Sequence, residues 1–250
     1  MHQFFVESGQ IQGNQVIITG RDVNHIRNVL RMQPGEEISV SNGVDGKEYR
    51  CGILQLKEEE ILCELRFIKE DGVELPSRIH LFQGLPKSDK MELIIQKAVE
   101  LGAYEIIPVA TKRAVVKLEG KKAAAKTARW QTISEAAAKQ SKRAIIPKVR
   151  EPLSFKEAVA LCREMEIKLI PYELADGMKT TREIISGLKP GGDIAVFIGP
   201  EGGFDEEEIR LAKEAGILLI TLGKRILRTE TAGLTVLAWM MYQLEEENIE

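Results

Sequence analysis

A change of pattern between Glu70 and Pro76 constrains the fold of this chain more than any other feature. Before it, short alternating runs predict strands at 3–6, 15–19, 37–41, 48–56 and 61–67, with turns at Pro34-Gly35 and Gly43-Val44-Asp45-Gly46. After it, strands expected at 78–85, 105–110, 167–171, 193–198 and 217–222 alternate with helices expected at 89–101, 121–143, 155–165, 181–188, 206–215 and 232–246. Consecutive short strands close into a small barrel, whereas strand-helix alternation requires crossovers and a mostly parallel sheet. The expectation is a β-barrel over 1–72 followed by an α/β domain over 73–250.

One short helix, 22–32, interrupts the first region. Its period places Val23, Ile26, Val29 and Leu30 inward and Arg21, Arg27 and Arg31 outward, as surface charge or as phosphate contacts. Capping pairs are expected at Asp89 with Glu92, Ser154 with Glu157, Thr180 with Glu183, and Asp205 with Glu208. These are helix-start signals and carry no catalytic role.

Several chemistries are excluded by what the residues lack. Cys51, Cys63 and Cys162 are odd in number and have no metal-ligand spacing, and His2, His25 and His80 are scattered, so no metal site is expected. No G-x-G-x-x-G, no G-x-x-x-x-G-K-[ST] and no G-x-S-x-G occurs. The amino terminus carries no secretory pattern and no apolar run is long enough to span a bilayer, so a cytoplasmic location is expected.

Two glycine-containing loops remain, each following an apolar strand and leading into a helix: Ile198-Gly199-Pro200-Glu201-Gly202-Gly203, and Leu222-Gly223 through Ile226-Leu227-Arg228-Thr229-Glu230-Thr231-Ala232. Glycine lets backbone approach a ligand closely, and loops at strand ends are where α/β sheets bind small molecules. Charge supplies a second signal. Between Ala110 and Arg150, twelve basic residues face only Glu119 and Glu135, so this window carries +10 in a chain of net charge −3 and leaves −13 elsewhere. Such segregation fits either a solvated helix face or a nucleic-acid footprint.

These loops resemble the cofactor loops of the SPOUT superfamily of S-adenosylmethionine-dependent RNA methyltransferases. With His25 to Arg31, Lys87-Ser88-Asp89-Lys90 through Gly102, and Glu135 through Gln140-Ser141-Lys142-Arg143, the chain resembles the ribosomal RNA small subunit methyltransferase E family over nearly its whole length. Ser88 stands where that family commonly has glycine, and Asn24-His25 where it often has two histidines.

The resemblance implies a PUA-like barrel, a trefoil-knotted α/β domain, and methylation of N3 of a specific uridine in 16S ribosomal RNA of the small subunit. It implies a cofactor pocket formed by Pro171-Tyr172-Glu173, the Ile198 to Gly203 loop, and Leu222, Gly223, Ile226, Leu227, Arg228, Thr231 and Ala232. Adenine is expected against Ile198, Leu222, Ile226 and Leu227.

Uridine N3 carries a proton in neutral water, so the site must accept that proton or stabilise the anion it leaves. Arg228 and Arg143 are candidates for the second role, and Glu201 or Glu230 for the first. RNA contacts are expected from Arg21, Arg27, Arg31, Lys87, Lys112, Arg113, Lys139, Lys142 and Arg143, with a second copy of the chain completing a homodimer. The apolar positions Leu234, Leu237, Ala238 and Met241 serve either that interface or the core. A ribose 2′-hydroxyl methyltransferase acting on tRNA and a non-catalytic ribosome-assembly protein are the alternatives.

Overall fold

A computed structural model describes residues 1–70, 72–173 and 177–245. The chain divides into two compact units, Met1–Glu74 with Ala138–Ile146, and Leu75–Ala137 with Pro147–Glu250. A single cut after residue 72 therefore misses a return of the chain. Residues 138–146 join the first unit because Glu74 accepts from the Ala144 and Ile145 N–H groups at 3.0 and 3.1 Å, while Ile146 N–H donates to the Gly43 carbonyl at 3.2 Å.

In the first unit six strands form one sheet in the order β1-β4-β5-β6-β3-β2: β1 (Gln3–Phe5), β2 (Ile11–Gln12), β3 (Gln15–Thr19), β4 (Glu37–Ser41), β5 (Glu48–Leu56) and β6 (Glu60–Lys69). The β1–β4 pair is parallel and the others are antiparallel. Register shifts at Arg50/Cys51 and Ile53/Gln55 mark irregularities where a strand bends and twist increases. Val16, Ile18, Ile38, Val40, Ile53 and Ile61 lie in its buried core.

The expected helix 22–32 is shorter and changes type. A turn of α-helix, α1 (Arg21–Asn24), runs into a π turn over His25–Val29, closed by Leu30 N–H donating to the His25 carbonyl at 2.9 Å. The wider turn breaks the 3.6-residue period. Val23 and Ile26 point inward as expected, but Val29 is 62 % exposed.

The second unit holds seven parallel strands: β7 (Arg78–Gly84), β8 (Glu105–Ala110), β9 (Lys148–Val149), β10 (Leu153–Ser154), β11 (Ile167–Pro171), β12 (Asp193–Ile198) and β13 (Leu218–Ile220). Their order is β10-β8-β7-β12-β11-β13, with β9 also paired to β8. Central strands β7 and β12 are buried on both faces, which explains their continuous apolar runs. Phe82 and Phe197 stack across them with centroids 4.4 Å apart.

The helices are α2 (Lys90–Glu100), α3 (Gly120–Gln140), α4 (Phe155–Leu161), α5 (Met178–Ser186), α6 (Glu206–Glu214) and α7 (Thr229–Glu245). The expected end of α7 at Glu246 lies outside the described residues. Capping boxes form at Ser154/Glu157 and Asp205/Glu208. They do not form at Asp89, which makes no side-chain cap bond, or at Thr180, because α5 begins two residues earlier, at Met178. On α7 the core takes Gly233, Val236, Leu237, Met240 and Leu244, leaving Leu234, Ala238 and Met241 half-buried.

At the amino-terminal ends of the central strands lies a polar network built around the buried His80 and Glu105. His80 Nδ1 is 3.2 Å from Glu105 Oε2 and its Nε2 is 2.9 Å from Asp193 Oδ1. Arg150 Nε donates to Glu105 at 2.6 Å and Arg78 to Asp193 at 2.7 Å. No helix among the described residues is long and apolar enough to cross a membrane.

Candidate functional site

The carboxyl ends of β11, β12 and β13 converge on one cavity of about 680 Å³. Its walls are the segments 171–173, 198–204 and 221–229, with Ala232, Lys90 and Arg113. Ligands bind outside the carboxyl ends of strands in open α/β sheets, and a volume of this order suits a nucleotide-sized molecule.

Every residue expected in the cofactor pocket lines this cavity except Thr231, which is exposed and whose carbonyl accepts from Thr235 Oγ1. Two apolar wall residues differ sharply. Ile198 is 2 % exposed and belongs to the core, while Ile226, on the border of the cavity, is 91 % exposed. The backbone does much of the shaping. Gly203 and Gly223 adopt φ of 66° and 104°, a region that disfavours side chains.

Gly84, at the end of β7, permits a close approach of two backbones. A Cβ there would sit 2.6 Å from Pro200 Cδ and 2.7 Å from Pro200 N. Beside it, buried Gln83 donates to Thr229 Oγ1 at 2.9 Å, and that hydroxyl donates to the Gly199 carbonyl at 2.6 Å. Gln83 Oε1 has no partner among the described residues. This relay joins β7, the loop after β12 and the start of α7 beneath the cavity.

Charge at the cavity is arranged around Lys90. Its Nζ lies 3.0 Å from Glu201 Oε1 and 3.2 Å from Glu230 Oε2, and Glu201 also accepts from the Lys87 N–H. Burial pushes the Glu201 carboxyl up, but its own backbone N–H, Lys90 and the Lys87 N–H outweigh this and hold it below the usual glutamate range. Glu230 is held low in the same way by its backbone N–H, Lys90 and Arg228, against burial. Both are ionised and engaged by Lys90, which weakens each as a proton acceptor relative to a free glutamate. The same carboxylates hold the Lys90 ammonium above its usual range.

Arg228 is exposed and lines the cavity. Arg143 does not line it: its side chain is 5 % exposed, in the first unit, with the guanidinium committed to Glu74. Burial with a bidentate partner makes Arg143 a structural residue and corrects both roles expected of it. Much of the basic window is likewise paired. Lys112 meets Asp205 and Glu207 at 3.1 and 2.9 Å, Arg113 donates to the Gly202 carbonyl, and Lys139 meets Asp22 at 3.2 Å. Arg27 donates to the Lys57 and Glu58 carbonyls. Arg21, Arg31, Lys87 and Lys142 have exposed side chains, as do Lys117, Lys121, Lys122 and Lys148.

No cluster of three or more metal-ligating side chains occurs among the described residues. Burial pushes the Cys51 and Cys162 thiols up to about 11, and burial with the neighbouring Cys51 pushes Cys63 to about 12, so none is a ready nucleophile.

Lys90, Gln83 and Thr229 are the site residues that sequence reasoning missed. Two leave a trace: a lysine in the first turn of a helix, where the dipole disfavours cations, and a glutamine inside the apolar run Ile79 to Gly84.

With this geometry in place, known proteins fix the class. A family model described as an RNA methyltransferase domain matches residues 73–241, and one described as an RNA methyltransferase PUA domain matches residues 18–66. The second unit is thus that of an RNA methyltransferase. Ribosomal RNA small subunit methyltransferase E of Bacillus subtilis is 36 % identical over 98 % of each chain. The crystal structure of a ribosomal RNA small subunit methyltransferase E from Neisseria gonorrhoeae, bound to S-adenosyl methionine, superposes with a TM-score of 0.82 at 35 % identity over 97 % of each chain. A putative methyltransferase from Legionella pneumophila in complex with the same cofactor gives 0.80 at 33 % identity over 96 % of each. The chain belongs to the ribosomal RNA small subunit methyltransferase E family.

Proposed function

We propose that this protein methylates N3 of a uridine in 16S ribosomal RNA, using S-adenosylmethionine held in the cavity at the ends of β11, β12 and β13. The observation that carries the reading is the convergence of three loops on one cavity, in a chain whose relatives of the same fold bind that cofactor. The cavity suits the group. Half-buried Leu222 and Leu227 and the edge of Ile198 offer an apolar wall, and both signs of charge line the rim for an amino-acid moiety. When bound, the cofactor supplies an electrophilic methyl.

This chain's own residues must orient the uracil and manage its N3 proton. Arg143 being buried against Glu74, the anion-stabilising role falls to Arg228, whose exposed guanidinium donates to the uracil oxygens as N3 loses its proton to solvent. The exposed lysines of the basic window bind RNA phosphates, so RNA affinity falls steeply with salt. A trefoil knot in the second unit, and a homodimer using the half-buried Leu234, Ala238 and Met241, complete the reading.

Mass mapping of ribosomal RNA from cells with and without the protein tests it. An N3-methyluridine missing from the deletion and restored by the wild-type chain is expected. Restoration of a 2′-O-methyl group instead, or of nothing, overturns it.

A further inference from the structure

Lys90 occupies a position that helix physics disfavours. It is the first residue of α2, and the N-terminus of a helix carries a partial positive charge that repels a cation. A residue that breaks a local rule is expected where function compensates for it. Here the compensation comes from two carboxylates on two other elements. Glu201 lies in the loop after β12, Glu230 in the first turn of α7, and Lys90 Nζ reaches both at 3.0 and 3.2 Å. All three side chains are more than two-thirds buried, at 26 %, 29 % and 18 % exposure, so the contacts are partly shielded from solvent. Glu201 extends the connection by accepting from the Lys87 N–H at the approach to α2, where Asp89 makes no cap of its own.

From this arrangement we infer that Lys90 is a positioning residue that latches the two cofactor loops to the start of α2 and acts through Glu201 and Glu230. The inference rests on the proposed binding of S-adenosylmethionine in this cavity. Without the ammonium, two partly buried carboxylates lose the counter-charge they share, and the segments that carry them move apart. If all three charges are removed together, nothing is left unpaired and the loops can stay in place. The latch thus predicts strong coupling among the three positions.

Calorimetric titration with S-adenosylmethionine, with circular dichroism to establish folding, tests this. Lys90→Met is expected to weaken binding about tenfold and Lys90→Arg by less than about threefold, while Lys90→Met combined with Glu201→Gln and Glu230→Gln recovers most of the loss. Should Lys90→Met fail to fold, Glu230→Gln alone supplies the test, with an expected loss of about threefold. Unchanged affinity in folded Lys90→Met, or in Glu230→Gln where that stands in for it, overturns the latch. So does a loss that persists in the triple variant, which would place Lys90 in direct contact with the ligand. Failure of the wild-type protein to bind the cofactor is a different result and overturns the cavity assignment itself.

Discussion

The two ends of the parallel sheet are both rich in charge, and they handle it in opposite ways. At the amino-terminal end, His80, Glu105, Asp193, Arg150 and Arg78 satisfy one another, with Glu105 and His80 buried and Tyr104 packed edge-on against the imidazole. At the carboxyl end, the charges of Lys90, Glu201 and Glu230 are held on two helix starts and a loop around an open cavity, with the guanidinium of Arg228 at its rim. A closed network spends its hydrogen bonds on the fold. The open one pairs its charges too but sets them along a cavity and leaves Arg228 exposed to a ligand, and this difference, more than residue type, separates structure from site.

Mutations at the two ends should therefore separate stability from binding. The largest effect is expected for His80→Ala, which strips a partner from two carboxylates at once and should cost about 3 kcal/mol in urea denaturation. Cofactor affinity should stay within about twofold, because nothing at that end lines the cavity. An equal loss of affinity would break the comparison.

At the other end Gly84→Ala should cost about 1–3 kcal/mol, since its Cβ meets the Pro200 backbone and ring, and should also weaken cofactor binding. Loss of stability alone would mean that the Pro200 loop does not shape the site.

Acid should act on the closed network through Glu105. Burial raises the Glu105 carboxyl, but His80 and Arg150 outweigh it and hold the group below its usual 4.5. Its folded value is depressed, so its contribution is present above about pH 4.5 and is lost as pH falls further. Glu105→Gln should flatten that part of the stability-pH curve, and an unchanged acid limb would remove Glu105 from the account.

The smallest effect concerns Ser88, which adopts φ of 58° just before α2. Relief of the left-handed strain less the entropy of glycine leaves Ser88→Gly about 0.5 kcal/mol more stable. A loss of stability would show that the serine side chain matters there.

The architecture was legible where one physical signal dominated. β3, β4, β5, β8, β11 and β12 fall at their expected limits because alternation or a continuous apolar run has no competing reading at those lengths. What remained hidden depends on tertiary contact. Residues 138–146 join the first unit through Glu74, Gly43 and Gln3, partners about 70 to 140 positions away. The exposure of Val29 follows from a π turn, which periodicity assumes away.

The pocket was largely readable from its two glycine loops and the resemblance they carry, because backbone shape there is written in residue type. Roles of charged residues were not. Arg143 and Glu201 look alike in sequence as free charges, and only their partners, Glu74 and Lys90, show them to be committed. The serine at position 88 also became intelligible, since its positive φ is the reason a glycine suits that place.

The most direct measurement is calorimetric titration of S-adenosylmethionine into the wild-type protein and into Gly223→Val. Gly223 has φ of 104°, which a β-branched residue does not adopt, so the substitution must move the loop after β13. One site per protomer, weakened at least about tenfold in a folded Gly223→Val protein, is the predicted result. No binding by the wild type, or equal binding by the folded variant, would contradict the assignment of the cavity.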